Sequence, residues 1–296
     1  MSERLRRSEP RRRRSPLDAL VPIDLRFGDL ERSIGVYLLD SPHGPLLFDC
    51  GPSSTLPRLK EGLRETGVEL GDIRHLLLSH IHLDHAGAAG AIVREHPELT
   101  VWVSDVGAPH LADPSRLERS ARRLYGDTFD DLWGELAPVP ERNIQIASGD
   151  VLGWEAFPAP GHASHHVVYF RDGTLLAGDA CGIRIQPSQR ILPVSPPPDI
   201  DLEAWHATLD EIARRAPDRL ALIHFGVETG VADHLARLGD ELDRWAARVR
   251  DGMTLEEFVA AGRADAGDEA DLCDRVAPYW QSWYGLRRYW DKREAT

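Results

Sequence analysis

One short stretch constrains this chain more than any other feature of its sequence. Directly after a short apolar run that predicts a buried strand, residues 79–85 read Ser-His-Ile-His-Leu-Asp-His. An extended chain points alternate side chains to one side, so His80 and His82 can hold one metal ion together. Where the chain turns into the following helix, Asp84 and His85 can face a second ion. The alternative, four solvated residues of a surface loop, leaves this clustering unexplained.

Three further candidate ligands each follow a predicted strand. His162 comes after a Pro-Ala-Pro-Gly turn, Asp179 after an apolar run that ends in Gly178, and His224 after the last apolar run, 220–223. Loops at strand ends are where α/β scaffolds commonly place binding residues. A single histidine at such a point is more often structural, but together with the motif these three residues favour a metal site.

The predicted elements alternate in a way that is typical of helices packed on sheets. Residues 35–40 and 45–49 form a predicted hairpin around a Ser-Pro-His-Gly turn. Further strands and helices follow, and residues 231–249 carry the apolar stripe of an amphipathic helix. The chain therefore predicts an α/β or α+β sandwich, in which helices cover sheets.

Length and charge predict three segments. The chain has 296 residues, enough for one large α/β domain with a small appendage. Residues 1–16 carry seven arginines against two glutamates, which predicts a basic, disordered tail. We expect the catalytic domain over 17–252 and a C-terminal helical extension over 253–296. The extension is rich in aromatic residues, which pack against the domain's own surface, against a second subunit in a homodimer, or over the metal cleft.

Composition limits the partners and the compartment. The net charge of −13 disfavours binding to nucleic acid. No run approaches the roughly 18 apolar residues of a membrane span, and no apolar region follows the arginines, as a secretory signal would require. Three scattered cysteines form neither a disulfide framework nor a thiolate metal cluster. We therefore expect a cytoplasmic protein that acts on a small-molecule substrate.

The motif and the strand-end residues together resemble the metallo-β-lactamase superfamily, and within it the glyoxalase II and lactonase branches. The resemblance covers roughly residues 35–249 and implies a four-layered αβ/βα sandwich with the metals at one edge of two sheets. It also implies the ligand sets. The first metal would be held by His80, His82 and His162, the second by Asp84, His85 and His224, and Asp179 would bridge them.

The resemblance assigns supporting roles to residues outside the ligand sets. Asp49 stands in the family's Asp-x-Gly turn, where it would brace the site rather than bind metal. His166 falls where relatives often carry a second histidine, but the adjacent His165 leaves open which ring faces the site. His110 and Tyr125 follow the strand that begins at Thr100 and are candidate substrate contacts, with ordinary structural roles as the alternative.

The donor types point to hydrolysis. Imidazole and carboxylate without thiolate suit zinc, although iron, manganese or cobalt also fit. Two such ions would stabilise a bridging hydroxide that attacks an ester, thioester or lactone, with Asp84 and Asp179 at the reacting centre. The alternatives are a mononuclear iron oxidoreductase resembling persulfide dioxygenases and a non-catalytic metal-binding module. The complete second ligand set favours the dinuclear hydrolase.

Overall fold

Two six-stranded sheets pack face to face at the centre of the molecule. The computed structural model describes residues 20–186 and 188–295. The basic segment predicted over 1–16 lies outside the described residues. Each sheet is mixed, with both antiparallel and parallel neighbours.

The first sheet contains the strands of the amino-terminal half. Its order follows the chain from β1 to β6. The first three strands are antiparallel, and the later neighbours are parallel. The strands are β1 (Leu20–Asp24), β2 (Gly35–Leu39), β3 (Leu46–Phe48), β4 (His75–Leu77), β5 (Thr100–Val103) and β6 (Ile144–Ile146).

The second sheet has the order β12-β11-β10-β9-β8-β7. Its neighbours are antiparallel except for β10 and β11, which are parallel and are connected through a helix. The strands are β7 (Gly149–Val151), β8 (Trp154–Pro158), β9 (Val167–Arg171), β10 (Thr174–Gly178), β11 (Arg219–Leu222) and β12 (Gly226–Glu228).

Helices cover both sheets and form the carboxyl-terminal part of the chain. They are α1 (Leu56–Glu65), α2 (Leu83–Ala86), α3 (Ala89–Glu95), α4 (Ala108–Ala112), α5 (Ser115–Tyr125), α6 (Phe129–Trp133), α7 (Leu202–Arg215), α8 (Val231–Arg250), α9 (Leu255–Ala266), α10 (Ala270–Val276) and α11 (Tyr279–Glu294). Within the described part of the chain, no helix has both the length and the apolar composition needed to cross a membrane.

The alternation of side chains along the second sheet creates the layers. One set faces the first sheet, and it includes Ala156, Tyr169, Leu176 and Ala221. The other set packs with α7 and α8, and it includes Phe157, Val168, Leu175 and Leu220. Leu59 of α1 and Ile92 of α3 join the core of the first sheet. The predicted four-layered αβ/βα sandwich is confirmed.

The predicted hairpin and the predicted amphipathic helix, which is α8, are confirmed, with small differences at their ends. The predicted hairpin is the β2 and β3 pair, in which Tyr37 lies opposite Phe48. Thr254 and Glu257 form a capping box at the start of α9. The polar stretch after residue 114 forms two helices, α5 and α6. They separate at Gly126, whose positive φ of 57° ends α5.

The C-terminal helices share a core with the second sheet. Phe258 of α9 and Leu286 of α11 are fully buried in the cluster that contains Trp245 of α8. The Trp290 indole N–H donates to the carbonyl of Ala246, 3.0 Å away. Part of the aromatic density therefore packs against the molecule's own helices, while the boundary at residue 252 stays a prediction.

Candidate metal centre

The motif lies where strand ends of both sheets meet. β4 ends at Leu77, and His82 then occupies the N-cap position of α2 in an extended conformation. Two backbone hydrogen bonds join the sheets at this edge. The Val167 N–H donates to the Ser79 carbonyl, and the Gly35 N–H donates to the Ile223 carbonyl, each over 2.7 Å. The loops after β4, β8, β10 and β11 therefore converge.

Three imidazoles form the first group of candidate ligands. Nε2 of His80 lies 2.8 Å from Nδ1 of His82, which lies 3.0 Å from Nε2 of His162. Two nitrogens bound to one tetrahedral zinc, with Zn–N bonds of about 2.0–2.1 Å, would lie roughly 3.3 Å apart. The observed separations are slightly shorter than this distance. Burial lowers the pKa of all three rings, which keeps them neutral, as metal ligands must be.

Two carboxylates and two imidazoles form the second group. Nε2 of His224 lies 3.3 Å from Oδ2 of Asp84, and Nε2 of His85 lies 3.4 Å from Oδ1 of Asp179. The four ligand atoms lie within 4.8 Å of one another. These groups contain the same seven residues that the sequence singled out.

Asp179 faces both groups. One carboxylate oxygen points to His85, and the other lies 3.6 Å from Nε2 of His162. The preceding Gly178 has a φ of 51°, and a Cβ there would lie 2.5 Å from the Cβ of Ser79. Only glycine allows this close approach, so the Gly-Asp pair sets the position of the carboxylate.

Three buried atoms of the second group have no hydrogen-bond partner among the described residues: Nε2 of His85, Nε2 of His224 and Oδ1 of Asp179. A buried polar atom without a partner is costly, so each needs a ligand. All three point toward the shared space of the group, where a cation would satisfy them together. The donor atoms of the second group therefore fit a metal cation, and the first group could hold one as well.

Local charge also fits a cation in the second group. Burial alone would lower the pKa of His85, but the carboxylates of Asp179 and Asp84 outweigh burial and raise it well above its usual range. Burial would raise the pKa of Asp179, but the positive charge of His85 and His224 holds it well below its usual range. The two carboxylates therefore stay ionised, and their negative charges would attract a metal cation.

Asp49 orients one candidate ligand, His85, through a hydrogen bond. Its buried carboxylate accepts hydrogen bonds from the N–H and O–H of Ser79, each over 2.7 Å, and from Nδ1 of His85 over 2.8 Å. Because Nδ1 of His85 donates to Asp49, Nε2 is the atom that faces the second group, where a metal ion would replace its proton. Nδ1 of His224 likewise donates to the Ser33 carbonyl over 2.6 Å.

The adjacent histidines of the 162–166 turn have different surroundings. Nε2 of His166 accepts the backbone N–H of Asp179 over 3.1 Å, so this ring supports the turn that carries the carboxylate. The His165 ring stacks on His80 at 5.9 Å between centroids. Neither ring belongs to the two ligand groups of the described residues.

The two candidate substrate contacts lie outside the ligand groups. Burial raises the pKa of Tyr125, and the negative charge of Asp84 adds to the effect. The hydroxyl of Tyr125 accepts a hydrogen bond from Nε2 of Gln281 in α11 over 3.1 Å. Half-buried His110 lies on α4. The role of each stays a prediction.

Sequence reasoning missed several groups that orient the ligands. Ser79 belongs to the motif, and its position between a strand end and the first predicted ligand was the signal that could have identified it. The carbonyls of Ser33 and Val194, which accept from His224 and His162, leave no sequence signal. Any residue type supplies a carbonyl, and only the fold brings it near.

Comparison with known proteins adds a family and a fold. A family model described as the metallo-beta-lactamase superfamily matches residues 31–224. The probable metallo-hydrolase YflN of Bacillus subtilis is 29% identical over 160 residues, 49% of this chain and 58% of that protein. An N-acyl homoserine lactonase of Bacillus thuringiensis is 25% identical over 167 residues, 48% of this chain and 59% of the lactonase. The matched segment thus spans less than two thirds of each relative.

A solved structure matches over most of the chain. The crystal structure of the metallo-beta-lactamase family protein TTHA1429 from Thermus thermophilus aligns with a TM-score of 0.66 and 20% identity. The alignment covers 93% of both chains. At this identity the likeness concerns the fold, and it agrees with the observed sandwich.

Proposed function

Because the chain belongs to the metallo-beta-lactamase superfamily, we propose that it is a dinuclear metal hydrolase that cleaves an ester, a thioester or a lactone. The observation that carries the proposal is the pair of adjacent ligand groups, with Asp179 facing both and three buried donor atoms aimed at one space. A purely structural cluster would satisfy these atoms within the protein. The lactonase relative supports a carbonyl substrate.

The seven residues would bind two metal ions. Zinc suits these ligands best, and iron or manganese are alternatives. In this proposal His80, His82 and His162 hold one ion, Asp84, His85 and His224 hold the other, and Asp179 contacts both. When bound, the ions would lower the pKa of water toward 7 and polarise the scissile carbonyl. No serine or cysteine nucleophile is then required.

The chain's own residues orient the ligands and keep the two carboxylates ionised. Asp49 and the Ser33 carbonyl accept hydrogen bonds from Nδ1 of His85 and His224, which leaves Nε2 of each ring as the atom that would bind metal. Asp84 and Asp179 stay ionised at neutral pH because the neighbouring histidines lower their pKa against the opposing effect of burial. Both carboxylates would contact the ions at the reacting centre.

We propose that the substrate is a small molecule whose apolar part rests on an aromatic wall near Asp84. Tyr125 contacts Trp133, with ring centroids 5.1 Å apart, and Trp280 of α11, at 6.4 Å. The hydroxyl of Tyr125 also accepts a hydrogen bond from Gln281, so α11 contacts this aromatic wall. His110 on α4 is proposed as a second substrate contact. Aromatic walls beside a polar centre are typical of small-molecule sites.

Metal analysis and a substrate panel test the proposal. The protein would be purified without chelator, its metals measured, and its turnover measured with thioesters, lactones, phosphodiesters and persulfides. We expect close to two divalent ions per chain and turnover of a carbonyl substrate. The Asp179→Ala variant controls for contaminating hydrolases. A reproducible single iron with persulfide oxidation would overturn the hydrolase in favour of the dioxygenase-like activity.

A further inference from the structure

A short backbone segment, residues 193–196, connects the last helix to one of the candidate ligands. Nδ1 of His162 donates to the Val194 carbonyl over 2.8 Å. The next residue, Ser195, donates its backbone N–H to Oγ of Ser282 in α11 over 3.1 Å. His162, Ser195 and Ser282 are each at most 1% exposed. The connection is therefore largely buried, with Val194 partly exposed, and buried hydrogen bonds are stronger than those in water.

The α11 backbone also packs directly against this segment. Gly285 lies three residues after Ser282, on the same face of the helix. A Cβ built at Gly285 would lie 1.9 Å from the Ser195 carbonyl oxygen and 3.0 Å from the Pro196 carbonyl carbon. No real side chain fits at these distances. The helix thus fixes the segment by close packing at Gly285 and by a hydrogen bond at Ser282.

The Val194 carbonyl determines what the His162 ring can do. A carbonyl only accepts, so Nδ1 of His162 carries the proton and Nε2 keeps its lone pair. The carbonyl also sets the rotation of the ring, which places Nε2 3.0 Å from Nδ1 of His82. Displacement of the carbonyl would free the ring to rotate and would remove the preference for this tautomer.

We propose that Ser282 and Gly285 are positioning residues of the metal centre, which act on His162 through the 193–196 segment. The inference rests on the proposed function, in which His162 is a metal ligand. The family match ends at residue 224, so this support comes from a part of the chain beyond it. Loss of a partner that orients a metal-bound histidine typically costs 10–100-fold in metal affinity.

α11 also contacts the protein in places that do not involve the 193–196 segment, and these supply a matched control. The Trp290 indole N–H donates to the Ala246 carbonyl of α8 over 3.0 Å. Trp290→Phe removes this hydrogen bond and leaves the segment untouched. If α11 served only the stability of the fold, Ser282→Ala and Trp290→Phe would affect the metals alike.

The experiment measures the affinity of both zinc ions by competition with a chromogenic chelator, using the full chain and four variants: Ser282→Ala, Gly285→Ala, Trp290→Phe and His162→Ala. The melting temperature of each metal-free variant is measured in parallel. We expect Ser282→Ala to weaken one zinc by about tenfold or more and to leave the other unchanged. Gly285→Ala should act in the same direction because it displaces the Ser195 carbonyl. Trp290→Phe should keep both affinities.

The outcomes separate this inference from the ligand assignment. If His162→Ala loses one zinc while Ser282→Ala and Gly285→Ala keep both at full affinity, the inference is overturned and the ligand assignment stands. If Ser282→Ala and Trp290→Phe weaken both ions in proportion to their loss of thermal stability, α11 is only structural and the inference is also overturned. If His162→Ala itself keeps both ions, the ligand assignment fails, and the inference fails with it.

Discussion

Asp49 holds a left-handed backbone conformation, with a φ of 57°, in the turn after β3. A non-glycine residue in this region is strained by about 1–3 kcal/mol and persists only where its surroundings fix it. The surroundings here are three hydrogen bonds to a carboxylate that is fully buried. Asp49 is not itself a candidate ligand. Its strained backbone, its burial and its three hydrogen bonds indicate that its role is to orient His85.

Asp49→Asn should weaken metal binding by about 10–100-fold. The amide cannot accept from all three donors, because one of its two polar atoms is itself a donor. Metal retained after dialysis against graded chelator measures the effect. The matched control is Asp172→Asn, at an exposed position with a φ of 48°, and it should retain metal like the parent protein. Equal retention by the two variants would contradict the bracing role.

Asp179→Ala should lose metal and lower turnover by more than about 100-fold, since even residues that only orient ligands are worth 10–100-fold in metal affinity or activity. The reason is that Asp179 alone among the seven is proposed to contact both ions. Metal content and kcat are measured together. His166→Ala, which removes a support of the same turn, should keep most of the metal. Full turnover with two ions in Asp179→Ala would show that the ligand assignment is wrong.

At the scale of elements, the sequence predicted what depends on local pattern. The apolar stripe over residues 231–249 predicted helix α8, Val231–Arg250, because apolar spacing is a local signal. Strand ends predicted the seven metal-site candidates. The order of strands and the packing of α11 against residues 193–196 could not be predicted. These contacts join residues that are far apart in the chain. The many aromatic residues near the C-terminus predict that they are buried, but they do not show which surface they pack against.

Phe258→Ala in α9 should lower the free energy of unfolding by about 3–5 kcal/mol, because it removes a buried ring from the core shared with α8 and the second sheet. The measurement is the urea midpoint of the metal-free protein. Tyr284→Ala, at an aromatic residue of α11 that is 45% exposed, is the control and should cost far less. A separate early transition for the C-terminal helices would instead favour an independent unit after residue 252.

At the scale of the whole molecule, the candidate metal centre joins the two sheets. Four of its seven residues follow β4 of the first sheet, and three follow strands of the second sheet. Metal ions held there would act as cross-links between the halves of the sandwich. The unfolded chain lacks this arrangement, so metal binding should contribute directly to stability.

Removal of the metals should therefore lower the melting temperature as well as abolish turnover. One metal ion at 100 times its Kd stabilises the folded state by about 2.7 kcal/mol, which corresponds to roughly 4 °C in a chain of this size. Calorimetry before chelation, after chelation and after zinc is restored measures the effect. Asp179→Ala should show a smaller shift, since it lacks the residue proposed to contact both ions. An unchanged melting temperature in a chelated protein that has lost two ions would mean that the centre does not cross-link the sheets.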